Sequence, residues 1–127
     1  MATKILIVDD RGSLSHFIAM ELQTAGYQTS VSCTAAAEPR RFREASPDLV
    51  ILNWDIRRTC ASELCTQLKA GNDRLPIIAI TANDECGCYL TKDVQTCLIK
   101  PFSMPDLLAA IERQLAHRQQ RQPAMTA

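Results

Sequence analysis

Apolar positions along the chain form short continuous runs that alternate with amphipathic segments. Continuous apolar runs are typical of strands covered on both faces, and weaker alternation marks half-covered ones. These patterns predict five strands, at residues 4–8, 27–31, 49–52, 77–80 and 98–99. Apolar residues recur at helical spacing between them, in residues 13–25, 34–45 and 62–69. Gly26 follows the first of these helices, where a C-cap glycine is expected.

The last helix has the clearest signature. Ser103 is placed to cap it, Asp106 follows three residues later as in a capping box, and Pro105 falls in the first turn. Its apolar stripe consists of Leu107, Leu108, Ile111 and Leu115. From His117 onward the chain is rich in Gln and Arg, so we expect one domain over residues 1–118 and a flexible tail or linker stub over 119–127.

Regular alternation of strands and helices predicts an α/β fold with a parallel sheet and helices on both faces. Ligands of such sheets bind at the carboxyl ends of the strands. Polar residues lie at those ends in four separate segments: Asp9, Asp10, Asn53, Thr81 and Lys100. The sequence therefore predicts one polar site at this edge of the sheet.

Composition narrows the class of protein. The chain has 127 residues, 46% of them apolar and 22% charged, as in a globular domain with a single core. Fourteen basic residues balance fourteen acidic ones, so no basic field favours nucleic acid. The longest apolar runs are strand-sized and no signal-peptide run precedes the first strand, so a cytoplasmic location is expected, without membrane contact.

Six cysteines are a high count for a chain of this length. Without a secretion signal, the simplest interpretation is six reduced thiols, several of them buried. A redox sensor is the alternative, because Cys60, Cys86 and Cys88 follow strands that should be neighbours. Their spacing does not match a zinc site.

The segments KILIVDD, PDLVILNWD, PIIAITAND and CLIKPF together resemble the receiver domain of bacterial two-component response regulators, over roughly Lys4 to Leu115. The resemblance implies a flavodoxin-like, five-stranded parallel sheet in the order 2-1-3-4-5, with five helices. It also implies transfer of a phosphoryl group from a histidine kinase to an aspartate, with Mg²⁺ bound.

Individual residues match the family's site. By resemblance, Asp9 and Asp10 hold the metal, and the backbone carbonyl of Asp55 completes its shell. Thr81 matches the hydroxyl that binds the phosphoryl group, and Lys100 matches the lysine that pairs with it. Taken singly, each has a plainer interpretation: an acidic turn, a β-branched residue at a strand end, or a solvated lysine.

Several positions depart from the family pattern. Asn53 stands where the acceptor aspartate is expected, and an amide cannot form an acyl phosphate. The loop at residues 57–61 lacks the family's proline and glycine, and Cys97 replaces the switching aromatic. The segment 82–96 is short and unsuited to a regular fourth helix. Loss of one carboxylate should also weaken Mg²⁺ binding.

These departures favour a pseudo-receiver that signals by protein–protein contact without phosphorylation. Its expected partner is a sensor histidine kinase or a downstream effector, and a second copy of the chain is a further candidate. The alternatives are an ordinary phosphoacceptor whose aspartate has been replaced, and the cysteine-based redox sensor. An independent enzyme is not expected, and no catalytic residue is assigned. The Asp55 side chain should point away from the pocket if the strand pleat continues.

Overall fold

Five strands and three helices make up the part of the chain that the computed structural model describes, namely residues 2–9, 12–32, 46–55, 61–70, 74–82, 94 and 96–121. The strands are β1 (Lys4–Val8), β2 (Gln28–Ser32), β3 (Leu49–Asn53), β4 (Ile77–Thr81) and β5 (Thr96–Ile99). The helices are α1 (Gly12–Thr24), α2 (Ala61–Lys69) and α3 (Met104–Arg121).

All strand pairs are parallel, and the sheet order is β2-β1-β3-β4-β5. The predicted architecture and strand order are therefore confirmed. In this register Val8 is paired with Leu52, and Asn53 with Ile80. Every strand thus delivers its last residues to the same edge of the sheet.

Alternating residues of the central strands fill two separate apolar clusters. Leu6 and Val8 of β1 pack with Leu64 and Leu68 of α2 on one face. Ile5 and Ile7 pack on the other face, in the cluster that also contains buried side chains of α1 and α3: Ile18, Leu22, Leu107 and Ile111. Each fully buried Leu or Ile contributes about 1.5–3 kcal/mol, so the three central strands are held rigidly from both sides.

Both predicted helix caps are present. Gly26 has a positive φ of 100°, and the Tyr27 amide donates to the Leu22 carbonyl over 3.0 Å, which ends α1 in a Schellman-type turn. At the start of α3, the Asp106 amide donates to Ser103 Oγ over 3.1 Å. Helix α3 continues to Arg121, past the domain boundary that we placed at residue 118.

Several predictions concern residues outside the described ranges. The helix at residues 34–45, most of the loop at 57–61 and most of the segment expected to hold an irregular fourth helix are among them. Within the described ranges, none of the helices is both long and apolar enough to span a membrane.

Candidate functional site

Four of the predicted site residues converge at the carboxyl edge of the sheet. The backbone hydrogen-bond pattern continues past the strand ends: the Asp9 amide donates to the Ser32 carbonyl over 3.1 Å, and the Lys100 amide donates to the Thr81 carbonyl over 2.8 Å. Asn53 is paired with Ile80 of β4, so Asp9, Asn53, Thr81 and Lys100 all lie at the carboxyl edge that the sequence predicted. Asp10 lies outside the described residues.

Asn53 lies at the centre of the site and is only 3% exposed. Its Nδ2 donates to Asp9 Oδ1 over 2.8 Å, and its Oδ1 accepts from Lys100 Nζ over 3.1 Å. The Asn53 amide therefore donates to the Asp9 carboxylate on one side and accepts from the Lys100 ammonium on the other. A carboxylate could not donate to Asp9, so this bonding pattern is specific to a neutral side chain.

Asp55 points into the site, so the expectation that it points away is wrong. Its Oδ1 accepts from Thr81 Oγ over 2.7 Å, and its Oδ2 accepts from the Ala82 amide over 2.7 Å. Lys100 Nζ lies 3.8 Å from the same Oδ2.

The physical reason is local. The Asp55 amide donates to Asn53 Oδ1 over 3.1 Å, which forms an Asx turn directly after β3. The pleat ends at this turn, so strand alternation no longer governs which way Asp55 faces. The Asx tendency of Asn53 was the available sequence signal.

The electrostatics of the site favour hydrogen bonding over simple ion pairing. The Lys100 and Asp55 side chains are 17% and 32% exposed, and such partly solvated pairs contribute about 0–1 kcal/mol. The two 2.7 Å bonds to the Asp55 carboxylate are charge-assisted and are the stronger contacts. Thr81 is fully buried, and its hydroxyl donates to the Asp55 carboxylate.

The described residues do not by themselves fit a divalent cation. No group of three or more His, Cys, Asp or Glu side chains that could hold a metal ion occurs among them. One oxygen of Asp9 accepts from Asn53, and both oxygens of Asp55 accept from Thr81 and Ala82. One oxygen of Asp9 and both oxygens of Asp55 are therefore already engaged by donors of the protein itself.

The expectation that all six cysteines are reduced thiols is wrong. Cys97 of β5 is disulfide-bonded, whereas Cys65 of α2 is a buried thiol outside any disulfide. These are the two cysteines of the described ranges. Sequence spacing could not reveal this bond, because disulfide pairing depends on tertiary proximity.

An apolar groove that the sequence did not suggest opens beside the site. Its volume is about 440 Å³, and it lies between α1 and the chain that follows β5, where the Lys100–Pro101 peptide is cis. Lys100 takes part in its wall, together with Leu14, Phe17, Ile18, Pro101, Phe102 and Met104.

Comparisons of this sequence with known proteins agree on one family. The family model described as "Response regulator receiver domain" matches residues 5–112. The chain is 32% identical over 120 residues to the phosphate regulon transcriptional regulatory protein PhoB of Rhizobium meliloti, an alignment that covers 91% of this chain and 53% of that protein. It is 30% identical over 122 residues to the response regulator ArlR of Staphylococcus saprophyticus, covering 94% and 55% respectively. The chain thus spans about half the length of these relatives.

Solved structures share the fold. A CheY-like receiver domain protein from Methanospirillum hungatei superimposes with a TM-score of 0.86 at 21% identity, covering 95% of this chain and 99% of that one. The response regulator TrrA of Thermotoga maritima, solved in complex with Mg²⁺ and BeF, gives a TM-score of 0.79 at 22% identity, with coverage of 88% and 98%.

Proposed function

We infer the function of this chain from its family, because the chain belongs to the receiver domains of response regulators. A receiver domain of two-component signalling is therefore the established part of the function. The way in which a receiver domain with this pocket passes on a signal is our proposal.

We propose that the chain is a pseudo-receiver, which acts by protein–protein contact and is not phosphorylated. The single observation that carries the proposal is Asn53, whose amide is engaged by Asp9 and Lys100. An amide is a poor nucleophile and cannot become an acyl phosphate. The bonding pattern also argues that the pocket is adapted to an amide, since Asp9 accepts a hydrogen that aspartate would not carry.

Weakened Mg²⁺ binding belongs to the same proposal. Replacing a carboxylate by an amide lowers the negative charge around Asp9, and cation affinity depends on the charge of its ligands. If Mg²⁺ binds, Asp9, Asp10 and the backbone carbonyl of Asp55 are the proposed ligands.

The proposed partner is a protein: a sensor histidine kinase or a downstream effector in the cytoplasm. Large apolar side chains exposed on α1 support this: Phe17, which lines the groove, is 52% exposed, and Met20 is 66% exposed. The balanced charge of the chain supports no nucleic-acid contact by this domain. We assign it no catalytic activity of its own.

Phosphorylation by a small donor tests the proposal. The protein is incubated with acetyl phosphate and Mg²⁺, and its intact mass is measured under conditions that preserve acyl phosphates. A receiver domain with an acceptor aspartate serves as the positive control. We expect no adduct, and an acid-labile phosphoryl adduct on this chain would overturn the proposal.

The matched variant Asn53→Asp decides between the pseudo-receiver and a recently lost acceptor. A pocket that has lost only its nucleophile should gain the adduct in this variant. A pocket adapted to the amide should not.

A second candidate function is redox sensing, which the disulfide at Cys97 favours. Formation of the bond would remove two protons and two electrons from two thiols, with a peroxide or a disulfide such as oxidised glutathione as the oxidant. Thiol counting by alkylation and mass measurement, before and after oxidation, tests this. The variant Cys97→Ser should abolish the oxidisable pair, whereas Cys65→Ser should leave it intact.

A further inference from the structure

The Asp55 carboxylate is surrounded by donors of three different kinds. A hydroxyl comes from Thr81 and a backbone amide from Ala82, each 2.7 Å from a carboxylate oxygen, and an ammonium from Lys100 lies 3.8 Å away. The first two donors come from the end of β4 and the third from the chain after β5. Convergent hydroxyl, amide and ammonium donors are the components of an oxyanion site.

The sheet fixes the backbone of Thr81 and Lys100 without help from Asp55. Thr81 is the last residue of β4 and is fully buried, and its carbonyl accepts from the Lys100 amide over 2.8 Å. Asp55, in contrast, is brought to them by the Asx turn at Asn53. The geometry is thus that of a preformed anion site into which the chain inserts its own carboxylate.

The charges of the pocket agree with this arrangement. Asn53 is neutral and bridges Asp9 and Lys100, so Asp55 is the negative group that approaches Lys100 from the β3 turn. A carboxylate at position 53 would add a second negative charge beside the same ammonium. The amide at Asn53 and the inward-facing Asp55 are therefore mutually compatible features.

We propose that Asp55 is a built-in anion, which occupies the place of a transferred phosphoryl group and holds Thr81 and Ala82 in their bound arrangement permanently. The proposal rests on the pseudo-receiver function and specifies how the pocket dispenses with phosphorylation. The carboxylate carries one negative charge and two oxygens, whereas a phosphoryl group carries about −1.5 to −2 and three oxygens. It satisfies the hydroxyl and the amide fully and leaves Lys100 at a longer distance.

A direct consequence is that free oxyanions are excluded. Inorganic phosphate must displace an intramolecular carboxylate, whose effective concentration is on the order of millimolar or higher for a short tether. Removing the Asp55 carboxylate should open the site to phosphate in solution.

Nuclear magnetic resonance of the Ala82 amide tests the proposal. We expect the amide proton to resonate downfield in the wild-type protein and to be insensitive to millimolar inorganic phosphate. In Asp55→Ala it should move upfield, and phosphate should return it downfield in a saturable manner, with an affinity at least about tenfold higher than in the wild type.

A matched control is available at the opposite edge of the sheet. Asp48 Oδ2 accepts from the Lys4 amide over 2.8 Å, a carboxylate–amide bond of nearly the same length. Asp48→Ala should move the Lys4 resonance and leave both Ala82 and its phosphate response unchanged. Asp55→Asn preserves the side-chain volume and removes the charge and one acceptor oxygen, so it substitutes if the alanine variant fails to fold, with a smaller upfield shift and a weaker gain of phosphate binding expected.

Three results would overturn the proposal: an unchanged Ala82 resonance in the Asp55 variants, an equal phosphate response in wild type and variants, or no phosphate response once the carboxylate is gone. Failure of the pseudo-receiver function is separately visible. A phosphoryl adduct on the wild-type chain would refute that function, while the Ala82 resonance would still report whether Asp55 fills the anion site.

Discussion

Asn53 Nδ2 lies 2.8 Å from Asp9 Oδ1, and both side chains are almost fully buried, at 3% and 5% exposure. An aspartate at this position would set a second negative charge against Asp9 where little water can screen it. The amide turns that repulsion into a hydrogen bond. Asn53 is thus fitted to its surroundings and stabilises the acidic end of β1.

This pairing predicts the stability of two variants at position 53. Asn53→Asp should be less stable to urea by on the order of 1 kcal/mol, because of like-charge repulsion. Asn53→Ala should lose about 1–3 kcal/mol, because buried polar partners are left unsatisfied. Added Mg²⁺ should restore Asn53→Asp and have no such effect on Asn53→Ala. Wild-type stability of Asn53→Asp in a chelator would contradict the repulsion.

Beryllofluoride uptake should depend on positions 53 and 55 together. Asn53→Asp supplies a nucleophile, but Asp55 still engages Thr81 and Ala82. We therefore expect weak uptake in the single variant and clearly stronger uptake, at least about tenfold in affinity, in Asn53→Asp/Asp55→Ala. Trp54 lies between the two positions and is the one tryptophan of the chain, so its fluorescence reports binding. Equal uptake by the single and double variants would show that Asp55 does not compete.

Substitution of Gly26 should change the stability of the protein through backbone conformation alone. Its φ of 100° is unfavourable for a side chain, yet a Cβ added there meets nothing within 4 Å. Gly26→Ala should therefore cost about 1 kcal/mol through backbone strain alone. Gly26→Asn is the matched comparison and should cost less, because asparagine tolerates the left-handed region. Urea denaturation of the two variants measures the difference, and equal losses would argue against strain as the cause.

Tyr27 makes a prediction for alkaline pH. Burial, and to a smaller extent the carboxylate of Glu112, raise the pKa of the Tyr27 phenol above its ordinary value of 10.0. The unfolded chain therefore loses this proton at lower pH than the folded protein does. The stabilisation of the folded state by the protonated Tyr27 phenol is fully present below pH 10.0. It is lost as the pH rises from there through the pKa of the folded protein.

The variant Tyr27→Phe isolates this contribution. Urea midpoints measured from neutral pH to above pH 10.0 should fall more steeply for the wild type than for Tyr27→Phe. Lysine titration affects both proteins equally and cancels in the comparison. Glu112→Gln should reduce the difference slightly, and identical alkaline slopes for wild type and Tyr27→Phe would refute the assignment.

The sequence predicted the frame of the site and missed the direction of one side chain. Continuous apolar runs located β1, β3 and β4, because burial on both faces leaves a strong signal. Parallel topology then placed Asp9, Asn53, Thr81 and Lys100 at one edge. Asp55 was misplaced because its direction is set by the hydrogen bond that its backbone amide donates to the Asn53 side chain, which overrides the strand period within two residues.

The short strand β5 shows a second limit. Two apolar residues, Leu98 and Ile99, predicted a strand, whereas the observed strand begins at Thr96. Pairing of Thr96 with Ile78 in β4 extends it, and Thr96 Oγ also accepts from Nε2 of the buried Gln114 of α3. Tertiary partners of this kind are not visible in local hydrophobicity.

The inward turn of Asp55 has a consequence for how sequences of this kind are classified. An alignment column that records the acceptor position alone would score this pocket as having lost a negative charge. In three dimensions the carboxylate of Asp55, two residues further along the chain, places a negative charge 3.8 Å from the same lysine. Positions 53 and 55 should therefore be compared together. Relatives that combine an amide at position 53 with an acid at position 55 are expected to keep a negative charge beside the lysine, which can be tested.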